Sequence, residues 1–295
     1  MSILSYPKRG TWGRASWPGN CSGYVYQHLF ERLRPTVFVD PMMGSGTSIE
    51  VAREMGIEAY GLDLHQGFNA IHDSILRAVG KPADLCVSHP PYGAMIIYSG
   101  KVWGKEAHPD DLSRCATDDE FHEKMQTVLF NQRDATAHGG YYGAIIGDWR
   151  RNGTYTSYQS EMISRMPKNE LAAVLIKAQH NCRSNATQYR AMRLPFILHE
   201  YIVLWRKKEA PVLVLLGDIA RQQQSRLTGT WKSIVRTVLM QLGGTVDLAQ
   251  LYETVAQAAP ERLALNGTWR EKVRQTLSRN PALFRPMGNG VWSLA

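Results

Sequence analysis

The sequence predicts an α/β fold on an open, mostly parallel sheet, and three short stretches carry that prediction. Val37-Phe38-Val39 is an apolar run that ends in Asp40-Pro41-Met42-Met43-Gly44-Ser45-Gly46-Thr47 and then enters the helical pattern Ile49 to Met55, which reads as strand, tight turn, helix. Glu58 to Leu62 reads as a second strand and ends at Asp63, the place where a carboxylate meets a ribose in such a sheet. Leu85-Cys86-Val87-Ser88 reads as another strand and runs into His89-Pro90-Pro91-Tyr92. Two prolines cannot continue a hydrogen-bonded ladder, so the chain breaks there and presents His89 and Tyr92 at the strand's carboxyl end.

Each element has its own physical reason. Glycine at 44 and 46 lets the backbone approach a ligand that a side chain would keep away, and the N–H groups opening the next helix are expected to face that ligand. The turn lacks the lysine of a phosphate-binding P-loop, and Pro-Pro-Tyr alone reads as a loop or a proline-rich ligand. The discriminating feature is the ordered set: Asp-Pro-x-x-Gly-x-Gly-Thr after the first strand, an acid after the second, Pro-Pro-Tyr after a later one.

That set resembles the S-adenosylmethionine-dependent amino-methyltransferases that modify adenine N6 or cytosine N4 in DNA, over roughly residues 12–208. The resemblance implies a Rossmann-like methyltransferase domain with a mostly parallel seven-stranded sheet. It places Asp40, Pro41, Met42, Gly44, Ser45, Gly46 and Thr47 around the cofactor, with Asp63 and Leu64 at the ribose end and Asp73 near the adenine amino group. Asn20 and Ser22 fall where the methionine carboxylate would be met; capping of the following helix is the plain role of Ser22. The catalytic motif corresponds to His89, Pro90, Pro91 and Tyr92. The family's first catalytic position is Asp, Asn or Ser; here it is His89, preceded by Ser88.

Composition sets the bounds. A chain of 295 residues that is 44% hydrophobic can bury a sizeable core, as one large domain or as a core with an appendage. The net charge of +8 favours polyanionic partners, nucleic acid first. Cys21, Cys86, Cys115 and Cys182 lie far apart, which argues against a zinc site and gives no disulfide framework. No apolar run is long enough to span a membrane and no signal peptide is evident, so a cytoplasmic protein is expected.

Along the chain, residues 1–18 read as an arm carrying Lys8, Arg9, Trp12, Arg14 and Trp17, placed across the cofactor site or against nucleic acid, or else as a loose tail. Tyr24 to Leu33 is a helix with Val25, Leu29 and Leu33 on one face. Ile96 to Pro109 is an irregular candidate lid, and a helix is expected to start at Ser113, with Phe121, Met125, Val128 and Leu129 turned inward. Tyr142 to Ile146, Leu171 to Ile176 and Phe196 to Trp205 read as further strands. Arg150 and Arg151 at the first of these, and Arg183, Asn185 and Arg190 in the polar loop between the other two, are the residue types that meet phosphates and base edges.

Residues 209–229 read as a linker, with Gln222-Gln223-Gln224-Ser225 inside it. Beyond it come helices Trp231 to Leu242, Leu248 to Ala258 and Trp269 to Ser278, then a hairpin with a Gly288-Asn289-Gly290 turn, so that 230–295 resembles a winged helix. In that module the third helix enters the major groove, a use that fits Arg270, Lys272, Arg274 and Arg279; winged helices also serve as protein contacts.

The chemistry follows from the resemblance. An exocyclic amine is a poor nucleophile because its lone pair is delocalised, and a site that accepts its protons favours the tetrahedral nitrogen. The Pro90 carbonyl and either His89 or Ser88 would accept, and Tyr92 would stack on the base. The base must first be flipped from the duplex. The expected function is site-specific methylation of double-stranded DNA, as in restriction-modification, with adenine N6 ahead of cytosine N4. The alternatives are an RNA-base or protein-glutamine methyltransferase, or a non-catalytic DNA-binding regulator on the same fold.

Overall fold

The structure, a computed structural model, describes residues 1–151, 153–180, 194–258, 263 and 267–295. The chain divides into two compact units, Met1–Val212 and Leu213–Ala295. Among the described residues no helix is long and apolar enough to cross a membrane.

The first unit is built on the expected mostly parallel seven-stranded sheet. Its strands are β1 (Ile3–Ser5), β2 (Val37–Asp40), β3 (Glu58–Gly61), β4 (Ala83–Ser88), β5 (Thr136–Ile146), β8 (Leu171–Ala178) and β9 (His199–Arg206). They lie in the order β1-β8-β9-β5-β4-β2-β3. Only β9 runs against its neighbours; every other pairing in the sheet is parallel. A separate hairpin, β6 (Trp149–Arg151) and β7 (Thr154–Thr156), follows β5. The helices of this unit are α1 (Gly23–Leu33), α2 (Thr47–Glu54), α3 (Ile75–Val79), α4 (Asp118–Asp134) and α5 (Tyr158–Ser164).

Strand alternation divides the core into two layers. Val39, Cys86, Tyr142, Ala144 and Val203 point to one face and pack with Phe121, Met125, Val128 and Leu129 of α4. Phe38, Leu85, Val87, Ile145 and Ile202 point to the other and pack with Val25, Leu29 and Phe30 of α1 and with α2. Both faces are covered, which explains the continuous apolar runs in the sequence. The chain leaves β2 toward β3 on one side, while β4 and β5 lie on the other, so a crevice opens at the carboxyl ends of β2 and β4. That crevice holds the glycine turn and the Pro-Pro-Tyr segment.

Four expectations change. The amino-terminal arm contains β1, which pairs parallel with β8 at the sheet edge. Helix α4 starts at Asp118, because Thr117 accepts the Glu120 N–H as its cap, and Leu112–Arg114 is a separate single turn. Residues after Ile146, where no strand was expected, form the β6/β7 hairpin. The expected linker 209–229 is largely helical, being part of α6 (Val212–Gln241). The glutamines that suggested a linker are good helix formers, and Leu215 and Ile219, four apart, are buried.

The second unit contains α6, β10 (Thr245–Asp247), α7 (Leu248–Ala258), α8 (Trp269–Arg279), β11 (Phe284–Gly288) and β12 (Val291–Leu294). Its antiparallel sheet has the order β10-β12-β11, and the sequence showed no sign of β10, a three-residue strand. Val235, Leu239, Leu251, Val273, Leu277 and Phe284 form the core. The β11–β12 turn uses positive φ at Gly288, Asn289 and Gly290, as the Gly-Asn-Gly signal requires.

Candidate functional site

The site begins at Asp40, the last residue of β2. Its buried carboxylate accepts the Met42 N–H at 2.9 Å and the Ser48 hydroxyl at 2.6 Å, fastening both sides of the glycine turn. Gly44 and Gly46 have φ of 53° and 88°, values that ordinary side chains rarely adopt. The Gly44 N–H donates to Asp63 Oδ2 at 2.8 Å, and the Gly46 N–H to the Met43 carbonyl. The amides of Met42, Gly44 and Gly46 are therefore spent within the protein. Asp63 also accepts from the His65 backbone N–H at 3.1 Å and lies 2.7 Å from His65 Nδ1.

Burial pushes the Asp40 carboxyl up to about 7, against hydrogen bonds from Ser48 and Met42 that pull it down. A folded-state value raised above the ordinary 3.8 means stability that is full below that value and lost as the pH rises through 7. Asp40→Asn retains an oxygen for the Met42 N–H and has no charge to bury. Its unfolding free energy should gain on that of the parent by about 4 kcal/mol between pH 4 and pH 8. Urea titrations of both proteins measure this, and a difference that is constant with pH would refute the assignment.

The amino-terminal segment covers the turn. Asn20 Oδ1 accepts from the Ser45 hydroxyl at 3.0 Å and the Thr47 hydroxyl at 2.9 Å, and the Asn20 amide donates to the Arg14 carbonyl. The Arg14 N–H donates to Ser45 Oγ, and the Gly13 N–H to Glu50. A side chain at Gly13 would start 2.1 Å from Thr47 Oγ1, so the close approach needs glycine. Trp17 sits beside Gly44, with its ring 5.1 Å from that of His65. Ser22 occupies the N-cap position of α1 without making the cap bond; its hydroxyl donates to the Lys8 carbonyl at 2.9 Å, tying down the arm instead.

Under this cover lies a cavity bordered by Trp17, Asn20, Pro41 to Gly44, Thr47, Asp63, Leu64, Phe68 to Ile71, Tyr98, Trp103, Asp110 and Asp111. Of the expected cofactor residues, Asp40, Ser45, Gly46, Ser22 and Asp73 do not line it. Asp40, Ser45 and Gly46 shape the turn from behind. Asp73 is exposed and accepts the Asn69 N–H at 2.8 Å, while Ser74 caps α3. Asn69 and Asp110, joined at 2.9 Å, border the cavity where Asp73 was expected. Among the described lining residues there are three carboxylates and no lysine or arginine.

His89 and Pro91 line this cavity and also a second cleft of about 600 Å³. The second cleft is bordered further by Arg9, Pro90, Tyr92, Met95, Ile96, Trp149, Arg150, Lys177, Gln179, His180, His199 and Glu200. His89 Nε2 lies 2.6 Å from the Tyr92 hydroxyl. Burial depresses the His89 imidazole to about 4, so it is neutral at ordinary pH. A side chain at Gly147 would meet the Tyr92 ring at 2.7 Å, so glycine makes room for that ring. Ser88, offered as the alternative to His89, is fully buried and donates to Gln132 Oε1 at 3.2 Å. The alternation of β4 turns it into the core, and His89 alone faces the cleft. Sequence reasoning missed Lys177 and Glu200, a cation and an anion inside otherwise apolar strands; that pattern was the available signal.

The basic residues separate. Arg150 borders the cleft, donates to the Pro195 carbonyl at 3.0 Å and lies over the Tyr155 ring, whereas Arg151 is exposed over Trp149. Arg183, Asn185 and Arg190 lie outside the described residues. In the second unit, Arg270, Lys272, Arg274 and Arg279 are exposed on α8; Arg270 lies over the rings of Trp269 and Tyr252, and Arg274 pairs with Glu271.

No protein-family model matches the chain, and no curated protein matches it. Solved structures do. TrmN from Thermus thermophilus is 13% identical with a TM-score of 0.41, over 64% of this chain and 50% of that one. The T. thermophilus 16S rRNA N2 G1207 methyltransferase RsmC, in complex with AdoMet and guanosine, is 14% identical with a TM-score of 0.33, over 67% and 45%. A T. thermophilus protein described as a candidate DNA modification methylase, complexed with S-adenosyl-L-methionine, is 16% identical with a TM-score of 0.29, over 59% and 56%. The chain spans about half the length of these structures.

Proposed function

We propose that the chain is an S-adenosylmethionine-dependent methyltransferase acting on the exocyclic amine of a nucleobase in double-stranded DNA, adenine N6 ahead of cytosine N4. The observation that carries this reading is the partition: His89 and Pro91 border both the cofactor cavity and the second cleft, so a donor in one and an acceptor in the other meet at the Pro-Pro-Tyr segment.

The cavity suits a cationic nucleoside better than a phosphate. The Met42, Gly44 and Gly46 amides are already bonded, its described lining has no lysine or arginine, and Asp63, Asp110 and Asp111 give it negative character. S-adenosylmethionine, when bound, supplies an electrophilic methyl group on a sulfonium. Asp63 would hold the ribose, Leu64, Phe68 and Ile71 would flank the adenine, and Asn20 would stand at the methionine end. On the acceptor side, the Pro90 carbonyl and His89 would accept protons from the amine while Tyr92 stacks on the base.

The second unit supports DNA as the partner. It holds ten Lys and Arg against five Asp and Glu, in 83 residues. Its order of helices and strands fits a winged helix with α8 as the groove-reading helix. Contacts from such a unit would offset the few kcal/mol needed to flip a base.

The test is transfer to unmethylated plasmid DNA followed by mass spectrometry of the digested nucleosides, with N6-methyladenine the expected product. Cofactor binding without any modified nucleoside would overturn the DNA reading in favour of RNA or protein acceptors. Absence of both binding and transfer would leave the regulator. In the same series, Asp63→Ala should weaken cofactor binding about tenfold, the size of one charge-assisted hydrogen bond; unchanged affinity in calorimetry would remove the ribose role.

A further inference from the structure

The second cleft carries two arginines whose charge no described side chain answers. Arg9 comes from the amino-terminal arm and Arg150 from β6, and both border the cleft together with the Pro-Pro-Tyr segment. Each guanidinium is held by one carbonyl: Arg9 Nη2 donates to the Trp12 oxygen, and Arg150 Nη1 to the Pro195 oxygen at 3.0 Å. The backbone beneath each is fixed as well. The Arg9 carbonyl accepts the Gly23 N–H at the start of α1, and Arg150 sits opposite Tyr155 in the β6/β7 hairpin, its guanidinium over that ring. A guanidinium carries five N–H groups, so four on each arginine find no acceptor among the described residues. In both, Nε is shut away from solvent without a hydrogen-bond partner.

Neither arginine forms an ion pair among the described residues, whereas the buried Arg133 meets Glu170 and the half-buried Arg165 meets Glu161. The two carboxylates described at the cleft are already engaged. Asp148 accepts the Tyr155 hydroxyl at 2.7 Å and the Ser157 hydroxyl at 3.2 Å, and Glu200 accepts from Lys177 and Gln179. Residues 181–193, which join His180 to Leu194 in the chain, contain no Asp or Glu. A buried donor without an acceptor is costly and rare. Two such cations in one cleft call for an anion from outside the chain.

The rings of Tyr6, Tyr92 and Trp149 border the cleft with the arginines, a mixture that holds bases by stacking and phosphates by charge. A volume of about 600 Å³ takes a nucleotide and excludes a duplex. We infer that Arg9 and Arg150 bind backbone phosphates of the nucleic-acid strand whose unpaired nucleotide enters the second cleft. The choice of nucleic acid over another polyanion rests on the proposed function together with those rings. The arm would then serve both sides of the site, with Gly13, Arg14 and Asn20 over the glycine turn and Arg9 on the acceptor strand.

The experiment is fluorescence anisotropy of a short labelled single-stranded DNA with the full chain over a range of salt concentrations. For a single strand, each phosphate contact contributes about 0.7 to the slope of log K against log salt. Arg9→Met and Arg150→Met should each weaken binding about tenfold and lower the slope by about 0.7, and the double variant should lower it by about 1.4. Arg151→Met removes the same charge one residue away, outside the cleft lining, and should leave affinity within about threefold and the slope unchanged. Lysine at position 9 or 150 keeps the charge and the bulk: the slope should persist while affinity falls about threefold with loss of the planar fork. An unchanged slope in the double variant, unchanged affinity in both lysine variants, or an equal fall in Arg151→Met would overturn the inference. So would competition by polyglutamate as strong as that by unlabelled DNA, or arginine-dependent binding of inorganic phosphate without binding of the strand. These readings need neither cofactor nor transfer. An arginine-dependent slope with no methylated product would leave the phosphate contacts standing and sink the proposed reaction.

Discussion

His89→Ala should lower methyl transfer by about 10²- to 10⁴-fold, the range expected on removing a positioned proton acceptor, while cofactor affinity stays within about threefold. The imidazole borders both cavities but makes no hydrogen bond to the glycine turn, to Asp63 or to Asn20, so the cofactor side keeps its described bonds without it. The Tyr92 ring, seated against Gly147, can still stack, and the Pro90 carbonyl remains; the acceptor is what is lost. His89→Asn should recover more activity than alanine, because the amide returns an oxygen acceptor to that position. Single-turnover rates and calorimetric cofactor binding test this. A rate within tenfold of the parent for alanine would remove His89 from the chemistry, and equal loss of rate and cofactor affinity would make its role structural.

The largest loss of stability is expected far from that chemistry, at Glu170. This carboxylate is 1% exposed and receives Arg133 Nε at 2.8 Å, Arg133 Nη2 at 2.7 Å, the Tyr142 hydroxyl at 2.6 Å and the Lys208 N–H at 3.0 Å. It ties α4 to β5 and to the segment that follows β9. Glu170→Ala leaves a buried guanidinium without its anion, and Tyr142 and Lys208 lose an acceptor. The expected cost is about 3–5 kcal/mol, a fall of about 10 °C in Tm for a unit of this size. Replacing the pair together, with Arg133→Met and Glu170→Leu, should cost much less, because no charge is stranded. Thermal melts of the two variants decide it: equal losses in both would mean that packing volume, not the unpaired charge, carries the effect.

The fold was legible where the sequence pattern is local. Val37 to Thr47, Glu58 to Asp63 and Leu85 to Tyr92 each combine an apolar run with a stop signal that has a mechanical reason, and the crevice follows from their order. The inward face of α4 was legible for the same reason, since Phe121, Met125, Val128 and Leu129 share one helical stripe. Contacts between distant segments were not legible. Nothing near Ile3 announces that its partner is Ile176, and nothing near Asp63 shows that it accepts the Gly44 N–H. Asp73, placed by analogy of position, does not border the cavity, whereas Asn69 and Asp110, which do, are brought together across a separation of forty-one residues. Lys177 and Glu200 were passed over as charges inside apolar strands, although buried charges in such places ask for a partner.

The edge strand β1 has a temporal consequence. Its register joins Ile3 to Ile176, Leu4 to Lys177 and Ser5 to Ala178, so this strand pairs with one made more than 170 residues later. At roughly 5–20 residues per second this is a wait of about 10–30 s. During that time the central strands can pair, while the arm that carries Trp17 and Asn20 over the glycine turn has no β8 to anchor it. The crevice is laid down early in synthesis, and its cover closes late.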